Sequence, residues 1–428
     1  MTKGKNLLAW FYLIAVYFVV PLYNEGTFDN ITQRKVVAYQ VICGLTLFFY
    51  FALSLIGDIR KKDTVVTEKR TLSPQDKLMI LFAAAVVLST VLSPYGKDAV
   101  YGTPGFGMGC LTILLMVLSY FLISRNLVCT DSILYLMTIS SIIPTALVII
   151  NRLGYDPLHM YQEGDFLQGH VYVSTFGNYG WYNHYMTVII PITLYMIFAG
   201  KKLWIKALYV AHLMLCVKAW TMAGTNSLLV SAAVVVGLMI LAGFAGRIRL
   251  KIPLKLFIPV YMIIIGGYGY FIARATENDE FANARGFIWR LSTALFKSFN
   301  IKEKLFGIGP NCYTYSVDNY LWSKQDFYEQ FNERFNAMAL TSAHSEYFDY
   351  LIGIGIVGAV IYLILLGAFL WSFISGDKKT DVQRAAALCA VSYAVCTLFT
   401  FSIICATPMF FILLGISQSR ENRQETTS

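Results

Sequence analysis

A chain of 428 residues has room for two or three soluble domains, but 57% hydrophobic and only 14% charged residues exclude that organisation. Apolar runs of about 15 to 20 residues recur throughout, and a bilayer admits only helices or closed barrels, so a helix bundle solvated by lipid is expected. The formal net charge of +9 falls mainly in alternate loops between these runs, which reads as the positive-inside pattern and leaves no basic surface for nucleic acid.

The first run, 7–22, follows Lys3 and Lys5 and lacks a small-residue cleavage site, so it reads as an uncleaved first span. Further spans are expected at 36–56, 78–92, 108–123, 133–150, 185–198, 207–222, 227–244, 256–272, 348–373, 385–399 and 403–416, about twelve in all. The last pair also reads as a single re-entrant hairpin. With the N-terminus in the cytoplasm, parity places Arg60, Lys61, Lys62, Lys69 and Arg70 inside, followed by Lys201, Lys202 and Lys206. Arg247, Arg249, Lys251 and Lys255 fall on the same side, as do Lys378, Lys379, Arg384, Arg420 and Arg423. Before the large outer loop, the outer segments hold only Arg34, Lys35, Lys97 and Arg152 as basic residues. The expected protein is multi-pass in the plasma or inner membrane, with both termini cytoplasmic. Its fold class is all-α, in three parts: spans one to nine at 1–274 with an outer loop at 151–183, a large outer loop at 275–347, and the last spans with a cytoplasmic tail at 348–428.

Within the large loop, 285–299 sets Phe287, Ile288, Leu291, Leu295 and Phe299 on one helical face, an amphipathic helix expected to lie at the membrane surface. Tyr313, Tyr315, Tyr320, Trp322, Phe327, Tyr328, Phe331 and Phe335 follow. They read mostly as an interfacial aromatic belt, with stacking on sugar rings as the alternative. Eight cysteines form no C-x-x-C pair, and Cys43, Cys216, Cys389 and Cys396 fall inside spans. Cys312 is alone in the large loop. No D-x-D or H-E-x-x-H occurs, so neither a metal nor a cofactor is expected.

The sharpest local pattern is Thr341-Ser-Ala-His-Ser-Glu-Tyr347, running into the tenth span. His344 can accept a proton near neutral pH, with Glu346 as a second base; an interfacial histidine beside a helix cap is the plainer reading. Arg285 and Arg290 suit a lipid-linked pyrophosphate, because guanidinium pairs bidentately with phosphate oxygens. They point about 140° apart on a helix and form no single clamp, whereas Arg285 and Trp289 share a face. Gly307-Ile-Gly309-Pro310 reads as a tight turn rather than a phosphate loop. Lys218 lies inside the seventh span after His212, either as a functional cation or as one that snorkels outward.

These pieces together resemble the O-antigen ligase and polysaccharide polymerase family. Thr175-Phe-Gly-Asn178 looks like the family's Phe-Gly-Asn element, and Arg285-Gly-Phe-Ile-Trp289-Arg290 like its Arg-x-x-x-Trp-Arg stretch. Leu305-Phe-Gly-Ile-Gly-Pro310 resembles its Leu-x-Gly-x-Gly-Pro turn. Ala343-His-Ser-Glu-Tyr347 with Leu351, Gly355 and Gly358 resembles its His-Asn-x-Tyr helix start, with Ser345 in place of Asn. Tyr101-Gly-Thr103 with Gly109 is a weaker fifth match. Where many members carry an arginine opening the eighth span, this chain has Asn226, and Lys218 is the candidate substitute.

The resemblance implies a GT-C-like, metal-independent inverting glycosyltransferase with an undecaprenyl-pyrophosphate-linked glycan as donor and a glycan or lipid as acceptor. It implies His344 as the catalytic histidine, Arg285 as the pyrophosphate contact and Arg290 as a secondary one. Ligase and repeat-unit polymerase both stay open. A precursor transporter or flippase is the rival from another class, and a scaffold for envelope assembly is a third.

Overall fold

Among the described residues nearly every segment is helical, as backbone in hydrocarbon must be. The computed structural model describes residues 3–60, 71–161, 173–200, 202–248, 253–336, 338–375 and 379–421. Lys61, Lys62, Lys69, Arg70, Lys201, Arg249, Lys251, Lys378 and Arg423, expected on the cytoplasmic side, lie outside the described residues, as does the middle of the 151–183 loop.

In chain order the first half comprises α1 (Lys3–Leu22), α2 (Ile31–Arg60), α3 (Pro74–Leu92), α4 (Lys97–Tyr101), α5 (Cys110–Asn126), β1 (Val128–Cys129), α6 (Ser132–Arg152), α7 (Tyr179–Met186), α8 (Ile190–Ala199) and α9 (Leu203–Ala223). The second half comprises α10 (Asn226–Ile248), α11 (Leu254–Ala275), α12 (Phe281–Ser298), α13 (Ile301–Phe306), α14 (Tyr313–Trp322), α15 (Gln325–Phe335), α16 (Glu346–Ser375), α17 (Asp381–Cys396), α18 (Thr407–Ser417) and β2 (Arg420–Glu421). Seven of them, α1, α2, α3, α6, α9, α11 and α16, are long and apolar enough to cross a membrane. α5, α18 and the described part of α10 are shorter apolar helices.

Two capping boxes mark one end of the bundle. Ser73 caps α3 with Asp76, and Thr380 caps α17 with Gln383. Asp76 pairs with Arg125 at 2.6 Å near the end of α5, and β1 pairs in parallel with β2 close by. The loops at 97–109, 175–178, 276–345 and 397–406 gather at the opposite end. The expected span at 185–198 is two helices instead: α7 stops at Met186, and α8 begins with Pro191 near its start. Proline has no N–H to continue the preceding helix, so the break belongs there.

The loop segment has its own apolar core, and this corrects two expectations. Phe287, Ile288, Leu291, Leu295 and Phe299 do line one face of α12, but they are buried against Tyr313, Val317, Leu321, Phe331, Leu340 and Ile352. Protein covers the apolar stripe that was expected to rest on lipid. The aromatic run is mostly part of the same core rather than a belt: Tyr313 and Phe331 are buried, and Tyr315, Tyr320, Phe327, Tyr328 and Phe335 pack on it. Trp322 is the exception, 77% exposed.

Glycine motifs tie this segment to the bundle. The N–H groups of Ile308 and Gly309 donate to the carbonyls of Ile352 and Gly353 at 3.1 and 2.9 Å, where α16 kinks at Gly355 (φ 69°). A Cβ on Gly307 would lie 2.2 Å from the Gly353 carbonyl oxygen, so only glycine permits this approach. The side-chain oxygen of Asn311 then receives the N–H groups of Thr103 (2.9 Å) and Met108 (3.2 Å), docking the 101–109 turn. All eight cysteines are free and buried.

Candidate functional site

Arg285 opens the regular part of α12. The preceding Ala282, Asn283 and Ala284 have left-handed φ values of 49°, 61° and 62°, which turn the chain so that a new helix starts at the arginine. Its Nε donates to the Phe399 carbonyl (3.1 Å) and its Nη1 to the Ala282 carbonyl (2.7 Å). Nη2 has no hydrogen-bond partner among the described residues. The guanidinium is therefore held from one side and open on the other. Burial lowers the arginine's pKa, while Tyr179 and Cys396 act to raise it.

His344 sits just before α16 with φ 50°, a strained conformation for a non-glycine residue. Its ring meets the edge of Phe401 at 5.4 Å between centroids. Phe401 packs on Phe106, and Phe106 on Trp181, each at 6.0 Å. Burial, and then the positive charge of Arg285, hold the His344 pKa down at about 4. The arginine from one expected motif and the histidine from another are thus in electrostatic reach. At neutral pH the imidazole is therefore neutral, and a weaker base than an exposed histidine.

Two of the other motif segments lie near this pair, and the pair's own two segments are bonded to each other. Asn178 caps α7 through the Gly180 N–H, and the next residue, Tyr179, interacts electrostatically with Arg285. The Gly307–Pro310 turn braces α16 a few residues beyond His344. Trp289 Nε1 donates to the Ala343 carbonyl at 3.0 Å.

The remaining expected site residues lie elsewhere or are already engaged. Glu346 is buried and accepts hydrogen bonds from Tyr362, Tyr393 and Ser402, the last two at 2.7 Å. It joins α16 to α17 and the 397–406 segment and offers no free oxygen as a base. Arg290 forms a bidentate pair with Asp279 (2.9 and 2.8 Å), donates to Gln330 and stacks on Phe287 and Phe327. Lys218 and Asn226 are exposed, and among the described residues neither bonds to Arg285 or His344. His212, next to Lys218 in the sequence reading, is 2.8 Å from both Ser141 and Thr193 and links α9 to α6 and α8.

Sequence reasoning missed Asp349, Phe401 and Tyr268. Asp349 Oδ1 accepts the Ala343 N–H at 2.8 Å. Its place in the first turn of α16, five residues after the histidine, was a usable signal. Phe401 lies in an apolar stretch that carries none. Tyr268 Oη lies 3.0 Å from Ser345 Oγ and donates to the Leu398 carbonyl at 3.0 Å.

Two cavities lie near the pair, lined by its neighbours and not by Arg285 or His344 themselves. An apolar one of about 240 Å³ lies between α11, α16, α17 and α18, from Phe373 and Ser417 at one end to Tyr268, Tyr347 and Leu398 at the other. It ends one residue from the carbonyl held by Arg285. A smaller one of about 40 Å³ has a mixed lining that includes Met108, Ile113, Asn311, Ser342, Asp349 and Phe401, the ring that His344 abuts. Among the described residues, no group of three or more His, Cys, Asp or Glu side chains is placed to hold a metal. No family model and no curated protein matches this chain.

Proposed function

We propose that this protein is a metal-independent membrane glycosyltransferase that takes a glycan from undecaprenyl pyrophosphate at the outer face and transfers it to an acceptor glycan or lipid. The observation that carries this reading is that Arg285 and His344 lie within electrostatic reach of each other, with an apolar cavity ending at Leu398, the residue before the carbonyl that Arg285 binds. A polyprenyl pyrophosphate needs an apolar path for its tail and a cation for its headgroup, in adjacent places. The open edge of Arg285 supplies the cation and the 240 Å³ cavity the path.

In the reaction an acceptor hydroxyl oxygen bonds to the anomeric carbon from the face opposite the pyrophosphate. The bond from that carbon to the phosphate oxygen breaks, its electron pair leaves with the lipid pyrophosphate, and configuration inverts. Arg285 stabilises the charge growing on the leaving oxygen. Neutral His344 takes the acceptor's proton. Glu346 has no part in this step.

The reading places the loop end outside the cell and the Asp76–Arg125 end in the cytoplasm. Counting α5, the α7–α8 pair, α10, α17 and α18 with the seven longer helices makes twelve crossings in a GT-C-like bundle, with both termini inside. Two ionisable groups buried in the bundle, Lys35 and Glu346, are occupied by fixed contacts, which favours an enzyme over a transporter. Lys35 caps the carbonyls of Val20, Pro21 and Tyr23, and Glu346 is a three-way acceptor.

Envelope glycans from a deletion strain complemented with wild type, His344→Ala or Arg285→Ala test the proposal. Both variants are expected in the membrane with glycan transfer lost. Single repeats alone identify a polymerase, and full-length chains stranded on the carrier a ligase. Normal glycan yield and length from His344→Ala overturns the mechanism, and loss of outer-face precursor itself favours the flippase.

A further inference from the structure

His344 is the only residue from Thr341 to Tyr347 with left-handed φ, and the backbone on both sides of it is pinned. On the N-terminal side, Ala343 is held at both of its polar atoms. Its N–H donates to Asp349 Oδ1 at 2.8 Å, from the first turn of α16. Its carbonyl, part of the peptide that leads into His344, accepts Trp289 Nε1 at 3.0 Å, from the helix that carries Arg285. On the C-terminal side, Ser345 Oγ lies 3.0 Å from Tyr268 Oη, and the Glu346 N–H donates to the Thr397 and Thr400 carbonyls.

Trp289 is completely buried and has one side-chain donor. That donor goes to the carbonyl beside the histidine, although the ring alone would fill the core. Arg285 and Trp289 lie one turn apart on the same face of α12. One rigid helix therefore carries the cation toward the site and, through the Trp289 hydrogen bond, fixes the chain that carries the imidazole.

We propose that Trp289 and Asp349 are positioning residues for His344: together they clamp Ala343 and so hold the imidazole against Phe401 and beside Arg285. The proposal deepens the transferase reading and rests on it for its catalytic meaning. Reaction rates depend steeply on placement, so a clamp of this kind decides turnover more than substrate affinity. Arg285 is the charged group acting on His344, and Glu346, two residues further on, is tied to Tyr362, Tyr393 and Ser402. The titration of His344 therefore reports its distance from Arg285 and its burial.

The test uses full-length protein with labelled histidine in lipid nanodiscs. The chain has five histidines, and His344→Gln assigns the signal of interest. In wild type the His344 midpoint is expected near 4. Trp289→Phe keeps an aromatic ring but loses the donor, and Asp349→Ala loses the acceptor. Both are expected to move the midpoint toward the ordinary histidine value of about 6.5 and to lower turnover roughly 10- to 100-fold with KM nearly unchanged. Asp349→Asn keeps an oxygen acceptor and is expected to behave as wild type in both measurements. A midpoint unmoved in Trp289→Phe and Asp349→Ala overturns the clamp, as does an Asp349→Asn protein that matches Asp349→Ala. The titration does not depend on glycan transfer. If His344→Ala proves fully active while the midpoints move as expected, the transferase reading fails and the clamp stands.

Discussion

Tyr393 donates its hydroxyl hydrogen to Glu346 at 2.7 Å, from the last turn of α17 to the first residue of α16. The same carboxylate takes donors from Tyr362 and Ser402, so one buried group ties together three parts of the chain beside the site. Replacing it with alanine takes an acceptor from three hydroxyls in a dry interior, with Thr407 Oγ1, 2.8 Å from Tyr393 Oη, as an alternative partner for one of them. Each group left unsatisfied costs about 1–3 kcal/mol. Glu346→Ala is therefore expected to lower the thermal unfolding midpoint in detergent, with less protein in the membrane. Gln retains one oxygen and is expected to fall between the two. A Glu346→Ala protein as stable as wild type would remove the structural role assigned here.

His344 sets a pH dependence whose sign is fixed by the direction of its shift. Its pKa is held down at about 4 in the folded protein, by burial and then by Arg285. An unfolded histidine titrates near 6.5. Between these values the unfolded chain binds a proton that the folded chain does not. The histidine's contribution to stability is thus complete above about pH 6.5 and declines as the pH falls toward 4. Wild type is expected to lose more thermal stability between pH 7 and pH 5 than His344→Gln does. Arg285→Gln removes one of the two causes, raises the histidine's pKa and narrows the window. Unfolding midpoints measured across that range check all three.

The turn at 305–310 and the kink of α16 exclude side chains from each other. A Cβ on Gly307 meets the Gly353 carbonyl oxygen at 2.2 Å, and a Cβ on Gly355 meets the Leu305 carbonyl carbon at 2.4 Å, both at positive φ. Backbone lies on both sides, so no flexible side chain can yield. Gly307→Ala and Gly355→Ala are each expected to cost more than about 1 kcal/mol. They should also release the loop segment, seen as faster protease cleavage between residues 275 and 345. Cleavage rates equal to wild type would show that the contact has room to relax.

Lys218, singled out as a cation inside an expected span, and Asn226, placed in the site by motif position, face outward on α9 and α10. Alanine at either is expected to leave stability within about 0.5 kcal/mol, as at ordinary surface positions. Transfer activity should persist as well. Loss of transfer in Lys218→Ala, with the protein still in the membrane, would show that this cation reaches the substrate.

The elements were easier to read in the sequence than their partners. Long apolar runs showed where the major helices lie because hydropathy is a local property, and residues 348–373 and 133–150 fall inside α16 and α6. The start of the regular helix at Arg285 was legible from periodicity. What covers its apolar face was not, since amphipathicity does not distinguish lipid from a protein core built of Tyr313, Val317 and Leu321. The break between α7 and α8 escaped notice because 185–198 is apolar throughout and only Pro191 marks it. In the site, residue chemistry pointed to Arg285 and His344. It overrated Glu346 and Arg290, whose hydrogen-bond partners Tyr393 and Gln330 lie 47 and 40 residues away in the sequence. Side-chain type shows what a group is able to do, and distant partners decide whether it is free to do it.

That distinction separates the two arginines of α12, which sequence alone treats as similar. Arg290 is bound on several sides: two oxygens of Asp279, Gln330, and the rings of Phe287 and Phe327. Arg285 donates only to backbone carbonyls, and its Nη2 has no hydrogen-bond partner among the described residues. Arg290→Ala should therefore act on folding, at about 1–3 kcal/mol for the lost charged hydrogen bonds, with the remaining folded protein near wild type in turnover. Arg285→Lys keeps the charge but loses the planar fork that matches a phosphate. It is expected to reduce turnover about 100-fold or more, with the protein still folded. Thermal unfolding and turnover per folded molecule, measured on both variants, separate the roles; Arg285→Lys turning over at the wild-type rate would mean that the fork does not meet the leaving group.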